Sequence, residues 1–368
     1  MSELVALASV NPAFLPPTHP RAGEQAIAKF IADRGAALGL EVDWLPVSPG
    51  RANVLLRLKP RSKSRQKVLL APHLDTVNGA DEQFTPRIRQ GRLYGRGACD
   101  TKGSVAAMLG ALFGLAQVGP RPQATEIVFS GLMDEENAQR GSRALVRSRF
   151  KADLAIVGEP TGLKAVTAHK GSLWLRIETS GRSAHGSRPE LGRNAVHAMA
   201  RIVDLLETEY ATQLARRRHP LLGHATVSVG VISGGTQPNI VPDHCCISID
   251  RRTLPGETEH GVLRELRGLL RKHGLAATCI GDKAAPCPPL ETDARSGLVP
   301  AFLRSLGQRR PAGVYYFCDA AVLAEGGIPS VVFGPGDIAQ AHTADEWVSL
   351  DQVEKARRKL TAFFRSLP

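Results

Sequence analysis

VLLAPHLDTV at residues 68–77 is the stretch on which the reading of the fold turns. Its apolar start reads as a short buried strand. Its end carries His73 and Asp75, two positions apart and so on one face of an extended chain. Upstream, Ala26, Ile27, Phe30, Ile31 and Leu38 recur at helical spacing across 21–40. A strand at 52–58 follows, then a basic loop at 59–67 that reads as a solvated turn. Downstream come a helix at 104–118, a strand at 126–130, a helix near 142–149 and a strand at 154–157. Strands alternating with helices predict an α/β fold with a mostly parallel sheet.

The pattern changes near Gly171. Residues 173–178 alternate like a half-exposed strand. A helix at 194–209, strands at 226–232 and 246–251, and a helix at 258–273 follow. This order predicts a small α+β unit with an antiparallel sheet. After the proline-rich link at 286–289, a helix at 297–306, a strand at 330–333 and a helix at 351–364 restore the first pattern. The expected domains are therefore 1–172 and 284–368, two parts of one α/β domain, with 173–283 inserted between them.

The chain has 368 residues, 43% hydrophobic and 22% charged, which excludes disorder, collagen-like and coiled-coil architectures. The formal net charge is +12. The excess is spread in proportion to length, aromatic residues are only 5% of the chain, and no RNP or zinc-finger motif occurs, so no nucleic-acid partner is expected. The uncharged stretch 103–120 reads as a buried helix, and no membrane partner is expected. The first 20 residues lack a basic start, and Asn11 and Pro12 break their apolar run, so they do not read as a signal peptide. Six scattered cysteines without a CxxC pair suggest a reducing, cytoplasmic location.

Five segments place acids or histidines just past apparent strands, where an open α/β sheet gathers its ligands. The first holds His73 and Asp75. GRGACDTKG at 95–103 places Asp100 in a glycine-rich turn before a helix, where a helix cap is the plain alternative. SGLMDEE at 130–136 puts three acids together, an arrangement usually left to solvent but relieved of repulsion by a cation. VGEPT at 157–161 brings Glu159, and GPGDIAQAH at 334–342 brings His342. Each segment alone is commonly structural. Together they offer two histidines and several carboxylates, the donor set of a dinuclear site for zinc.

These five motifs, in order and spacing across nearly the whole chain, resemble the dinuclear zinc amidohydrolases that include acetylornithine deacetylase and succinyl-diaminopimelate desuccinylase. The resemblance implies that His73 and Glu159 bind one metal, Glu136 and His342 the other, and Asp100 bridges both, with zinc or cobalt as the two divalent ions. It implies that Asp75 orients His73, that Glu135 is the general acid/base, and that a cis peptide follows Asp100. The inserted domain would be a lid through which a homodimer forms. SAHGSRP at 183–189 resembles the lid histidine motif, so His185 would stabilise the oxyanion. GGTQPN at 234–239 and DRRTLPG at 250–256 place the substrate-carboxylate contacts on Asn239 and Arg252, with Arg251 as the register competitor. Where many relatives carry a threonine, this chain has Cys318, a weaker hydrogen-bond donor.

The segment 334–342 most resembles the acetylornithine deacetylase branch. It implies a small N-acyl amino acid substrate, N-acetyl-L-ornithine first, and a place in arginine biosynthesis. The alternatives are desuccinylation of succinyl-diaminopimelate, another N-acyl amino acid hydrolysis or dipeptide cleavage within the family. A non-catalytic binding relative is the alternative of a different class, and it would be signalled by loss of a ligand or base; none is missing.

Overall fold

The computed structural model describes all residues except 17, 119, 120 and 284. The end of the uncharged stretch 103–120 and residue 284, the expected return point of the first domain, lie outside the described residues. The chain forms two compact units. One comprises Met1–Ala168, Glu291–Gly313 and Cys318–Pro368; the other comprises His169–Leu290 and Val314–Phe317.

The first unit is built on a mixed sheet in the order Glu41–Ser48, Arg51–Leu58, Thr125–Gly131, Gln66–Pro72, Leu154–Gly158, Ser330–Val332, Val166–His169. The four strands from Thr125–Gly131 to Ser330–Val332 run parallel, and the strands beside them are antiparallel. The opening stretch is thus the inner strand Gln66–Pro72, paired on both sides. Its residues 68–72 are buried, as expected for a strand covered on both faces. The uncharged run forms the helix Gly103–Gln117, which buries Val105, Met108, Leu112 and Leu115. Among the described residues no helix is long and apolar enough to cross a membrane. The last helix, Leu350–Arg365, adds Phe363 to the same core. Phe302 meets Phe333 and Phe363 nearly edge-on, with centroids 5.5 and 5.0 Å apart.

Sequence periodicity misses the edge strand Glu41–Ser48, whose residues are partly exposed and include Pro46. It also misses the seven-residue helix Asp319–Glu325, too short to display a helical period.

The second unit is a four-stranded antiparallel sheet in the order Thr226–Gly234, His244–Thr253, Gly171–Ser180, Thr278–Gly281. The helix expected over 194–209 starts at Ala195, capped by Asn194, and runs on through the π turn Leu206–Tyr210 to Arg216. The helix Glu259–Lys272 is capped by Thr258 and buries Val262, Leu266, Leu269 and Leu270. Strict alternation along His244–Thr253 separates the two candidate arginines. Arg251 turns inward and is fully buried, bound to Tyr210 and Glu257 at 3.2 and 2.6 Å. Arg252 lies on the opposite, more open face and pairs with Asp250 at 2.9 Å.

Phe302→Ala is expected to destabilise the first unit by about 3–5 kcal/mol, because three rings share that part of the core. Denaturant unfolding measures this; a loss below about 1 kcal/mol would contradict the packing described.

Candidate metal centre

The carboxyl ends of the parallel strands place the acids and histidines of the first unit together. His73 follows Gln66–Pro72 and is bridged to Leu132, past the end of Thr125–Gly131. It is buried, and its Nδ1 lies 3.0 Å from the Asp75 carbonyl oxygen and 3.5 Å from the Asp75 carboxylate. This turns Nε2 towards Asp100 at 3.1 Å and Glu159 at 3.9 Å. On the other side of Asp100, His342 Nε2 lies 3.4 Å from its Oδ2 and 3.2 Å from Glu136. Two donor groups result, His73–Asp100–Glu159 and Asp100–Glu136–His342, each with its ligand atoms within 4.8 Å of one another. Asp100 belongs to both. His342 has a left-handed backbone (φ 62°), an uncommon conformation for histidine that concentrates at functional sites.

The electrostatics of the site follow from burial and from the pairing of its acids with its imidazoles. Burial pushes Glu135, Glu136 and Glu159 above the usual carboxylate range, with His73 opposing and neighbouring acids adding to the rise. Burial also acts on Asp100, but His342 and His73 hold it below that range. Asp100 and Glu136 push His342 up to about 10. Burial would lower His73, but Asp100, Asp75 and Glu159 carry it well above its usual value. Burial of several acids together is unfavourable, and a divalent cation would offset it. The donors are oxygens and imidazole nitrogens, with one carboxylate common to both groups. That set fits a pair of divalent ions.

Further residues, some inside the five motifs and some outside them, hold the donors in place. Asp75 accepts from Asn11 at 2.7 Å and from the backbone N–H groups of Glu135 and Glu136 at 3.0 and 3.1 Å, so it also positions the acidic turn. Asp134, the first of the three acids, points away from the donors. It is buried among Asn11, Arg51 and Arg140. Glu346 accepts from the N–H groups of Gly97, Cys99 and Asp100 and from Arg96, fixing the loop that carries Asp100. Gly97 has φ 80°, and a Cβ there would meet Thr76 at 2.7 Å. The Asp100–Thr101 peptide bond is cis, as the resemblance implies. Asp319 is buried and accepts from Ser142 at 2.5 Å; burial raises it to about 7. An acid four residues past His342 was the one visible signal for Glu346, and Asp319 stood next to Cys318 in the segment likened to the family; Asn11 had no signal.

Glu135 is partly buried, and among the described residues its carboxylate makes no hydrogen bond. Cys318 caps Asp319–Glu325 without a side-chain hydrogen bond to the helix, a bond that a threonine hydroxyl would be equipped to make. Its thiol is buried and raised well above its usual value.

The other expected site residues belong to the second unit. His185 is exposed, with Nδ1 2.8 Å from Ser187 Oγ, and its backbone bridges to Ile240. Gly186 N–H donates to the Asn239 carbonyl at 2.7 Å, so the histidine loop and the Asn239 loop lie side by side. The Asn239 carboxamide makes no hydrogen bond among the described residues. Arg252 occupies the open sheet face described above.

Residues 69–366 match the model of the peptidase family M20/M25/M40. The chain is 32% identical over 350 residues to an acetylornithine deacetylase of Edwardsiella ictaluri, covering 91% of this chain and 88% of that protein. It is 29% identical to one of Proteus mirabilis, covering 90% and 87%. Among solved structures, aminopeptidase PepT of Bacillus cereus aligns with a TM-score of 0.79 at 23% identity, over 99% of this chain and 95% of that one. An M20 family metallo-carboxypeptidase of Sulfolobus solfataricus aligns at 0.78 and 19% identity, over 99% and 97%. The fold built on VLLAPHLDTV, the two donor groups sharing Asp100 and a match running from Leu69 to Ser366 identify the chain as a member of the peptidase family M20/M25/M40, a family of metal-dependent hydrolases.

Proposed function

We propose that the protein hydrolyses the amide bond of an N-acyl amino acid, with N-acetyl-L-ornithine as the first substrate to test. The carrying observation is Asp100, set between the His73–Glu159 and Glu136–His342 pairs, with the uncommitted Glu135 carboxylate next to Glu136 in the chain. The two acetylornithine deacetylases named above support the choice of substrate. Desuccinylation and dipeptide cleavage are the alternatives within the family.

His73 and Glu159 would hold one divalent ion, Glu136 and His342 the other, and Asp100 both. Zinc is the first choice for the donor set, and cobalt the second. Bound there, the ions supply Lewis acidity that lowers the pKa of a water and polarises the amide carbonyl. Glu135 takes the proton of the attacking water and returns it to the leaving amine. Burial raises its proton affinity, which suits a group that must hold that proton between the two steps. Asp75 keeps Glu135 and Glu136 in place through their backbone N–H groups. His185 stabilises the oxyanion, and Asn239 and Arg252 take the substrate carboxylate. The exposure of His185 and Asn239 and the unspent carboxamide of Asn239 support these roles. The 173–283 domain acts as the lid and joins two copies into a homodimer. Val231 and Ile232, each 58% exposed on the edge strand Thr226–Gly234, support that surface. The cytoplasm, where six free thiols persist, is the proposed location.

N-acetyl, N-succinyl and dipeptide substrates, assayed with zinc- or cobalt-loaded protein and again with chelator, test the reading. N-acetyl-L-ornithine is expected to turn over best and the chelator to abolish turnover. If no amide is cleaved, a binding function replaces it. Glu135→Gln is expected to lower kcat by about 10²–10⁴-fold while metal content stays full. Near-normal turnover with full metal would exclude Glu135 as the base. Stripping the metal is expected to lower the unfolding midpoint, and zinc to restore it with a gain of about 4 kcal/mol in unfolding free energy at a thousandfold excess over Kd. An unchanged midpoint in calorimetry would count against a metal held by these buried donors.

A further inference from the structure

The basic loop at 59–67 is fastened to its neighbours along its length. The backbone N–H groups of Arg61, Ser62 and Arg65 donate to the carbonyls of Pro122, Gln123 and Ala124 at 3.3, 2.8 and 2.8 Å. Its serines turn back onto the chain. Ser62 Oγ donates to the Gln123 carbonyl at 2.6 Å, and Ser64 Oγ to the Gln66 carbonyl at 3.2 Å. Arg61, Lys63 and Arg65 are left exposed. On the other side the loop meets the segment 147–153. Lys67 N–H donates to the Asp153 carboxylate at 2.7 Å, and Asp153 N–H to the Lys67 carbonyl at 2.8 Å. That segment exposes Arg147, Arg149 and Lys151. None of these six cations makes an ion pair among the described residues. The acids beside them are engaged: Glu126 by Arg57 and Lys67 at 3.2 and 3.0 Å, and Asp153 by the Lys67 N–H.

Both segments lead into parallel strands, Gln66–Pro72 and Leu154–Gly158, so they share the amino edge of the sheet. The donor groups occupy the carboxyl edge, about 20 Å away along a seven-residue strand. That is more than twice the screening length of about 8 Å at physiological salt, so these cations do not serve the metal centre. Like charges held together at one edge repel, and an anion relieves that cost. None of the large exposed apolar residues lies on the two segments, so the surface lacks an anchor for a lipid interface. Phe150 is their one aromatic residue, and its ring has Lys67 at 5.1 Å and Arg57 at 5.9 Å, so it is no free platform for an unpaired base. Four of the six cations are arginines, whose forked guanidinium takes a carboxylate with two hydrogen bonds.

We propose that this basic edge docks an acidic segment of a partner protein and leaves the catalytic edge open. The docking is independent of the substrate.

The test titrates a labelled peptide of alternating Glu and Ser into full-length, metal-loaded protein, read by fluorescence anisotropy at low and at physiological ionic strength. Wild type is expected to bind it, more weakly as salt rises. Arg61→Ser/Lys63→Ser/Arg65→Ser and, separately, Arg147→Ser/Arg149→Ser/Lys151→Ser are each expected to weaken binding about tenfold. Arg201→Ser/Arg216→Ser/Arg218→Ser removes as much charge from exposed positions of the second unit and is expected to leave binding unchanged. Turnover and the unfolding midpoint are expected to stay as in wild type in the first two variants. No binding by wild type would overturn the proposal. Equal weakening in all three variants would do so too, because net charge alone would then account for it. A duplex DNA or a phosphatidylserine vesicle that binds more tightly than the peptide at physiological ionic strength, and is lost in the first two variants, would replace the protein partner by a phosphate surface. A loss of turnover in those variants at an unchanged midpoint would tie the edge to the metal centre and overturn the docking as stated.

Discussion

Asp100 is a buried carboxylate held between two imidazoles, and the site is arranged around it. Its two oxygens face His73 and His342 at 3.1 and 3.4 Å, and two further carboxylates, Glu136 and Glu159, complete the donor groups. Such a gathering of acids in a pocket of low dielectric is unfavourable without compensation. The two imidazoles supply part of it, and the donor set has the form that divalent cations complete.

A second layer of buried polar contacts holds the donors in place. Glu346 collects three backbone N–H groups from the Asp100 loop and is balanced by Arg96. Asp75 performs the same service for the turn bearing Glu135 and Glu136. Arg51 spans Glu24 and Asp134 and anchors the start of that turn. Each of these acids accepts several donors at once, which offsets part of the cost of burying it and ties the loops to the sheet beneath them. Asp134 shows how a motif can mislead: of three adjacent acids, one is structural and faces away from the donors.

The second unit follows a different logic. Its sheet has one covered and one open face, so alternation along a strand decides each residue's chemistry. Arg251 and Arg252 are neighbours in sequence and opposite in role, one locked against Tyr210 and Glu257, the other on the open face.

Sequence alone determined the alternation of strands and helices, the antiparallel insertion and the motif residues of the donor groups, because hydrophobic period and strand-end chemistry are local properties. The inner strands were legible because burial on both faces writes a continuous apolar run, as in 68–72. The edge strand Glu41–Ser48 and the helix Asp319–Glu325 were not, one being partly exposed and the other too short to show a period. Only tertiary structure decided which acids share a pocket, which arginine of an adjacent pair is buried, and that Asn11, Asp319 and Glu346 surround the site. Asn11 reaches Asp75 across 64 residues and Glu346 reaches Asp100 across 246. Contacts at such separations are set by the packing of the sheet and carry no signature in the local pattern of the chain.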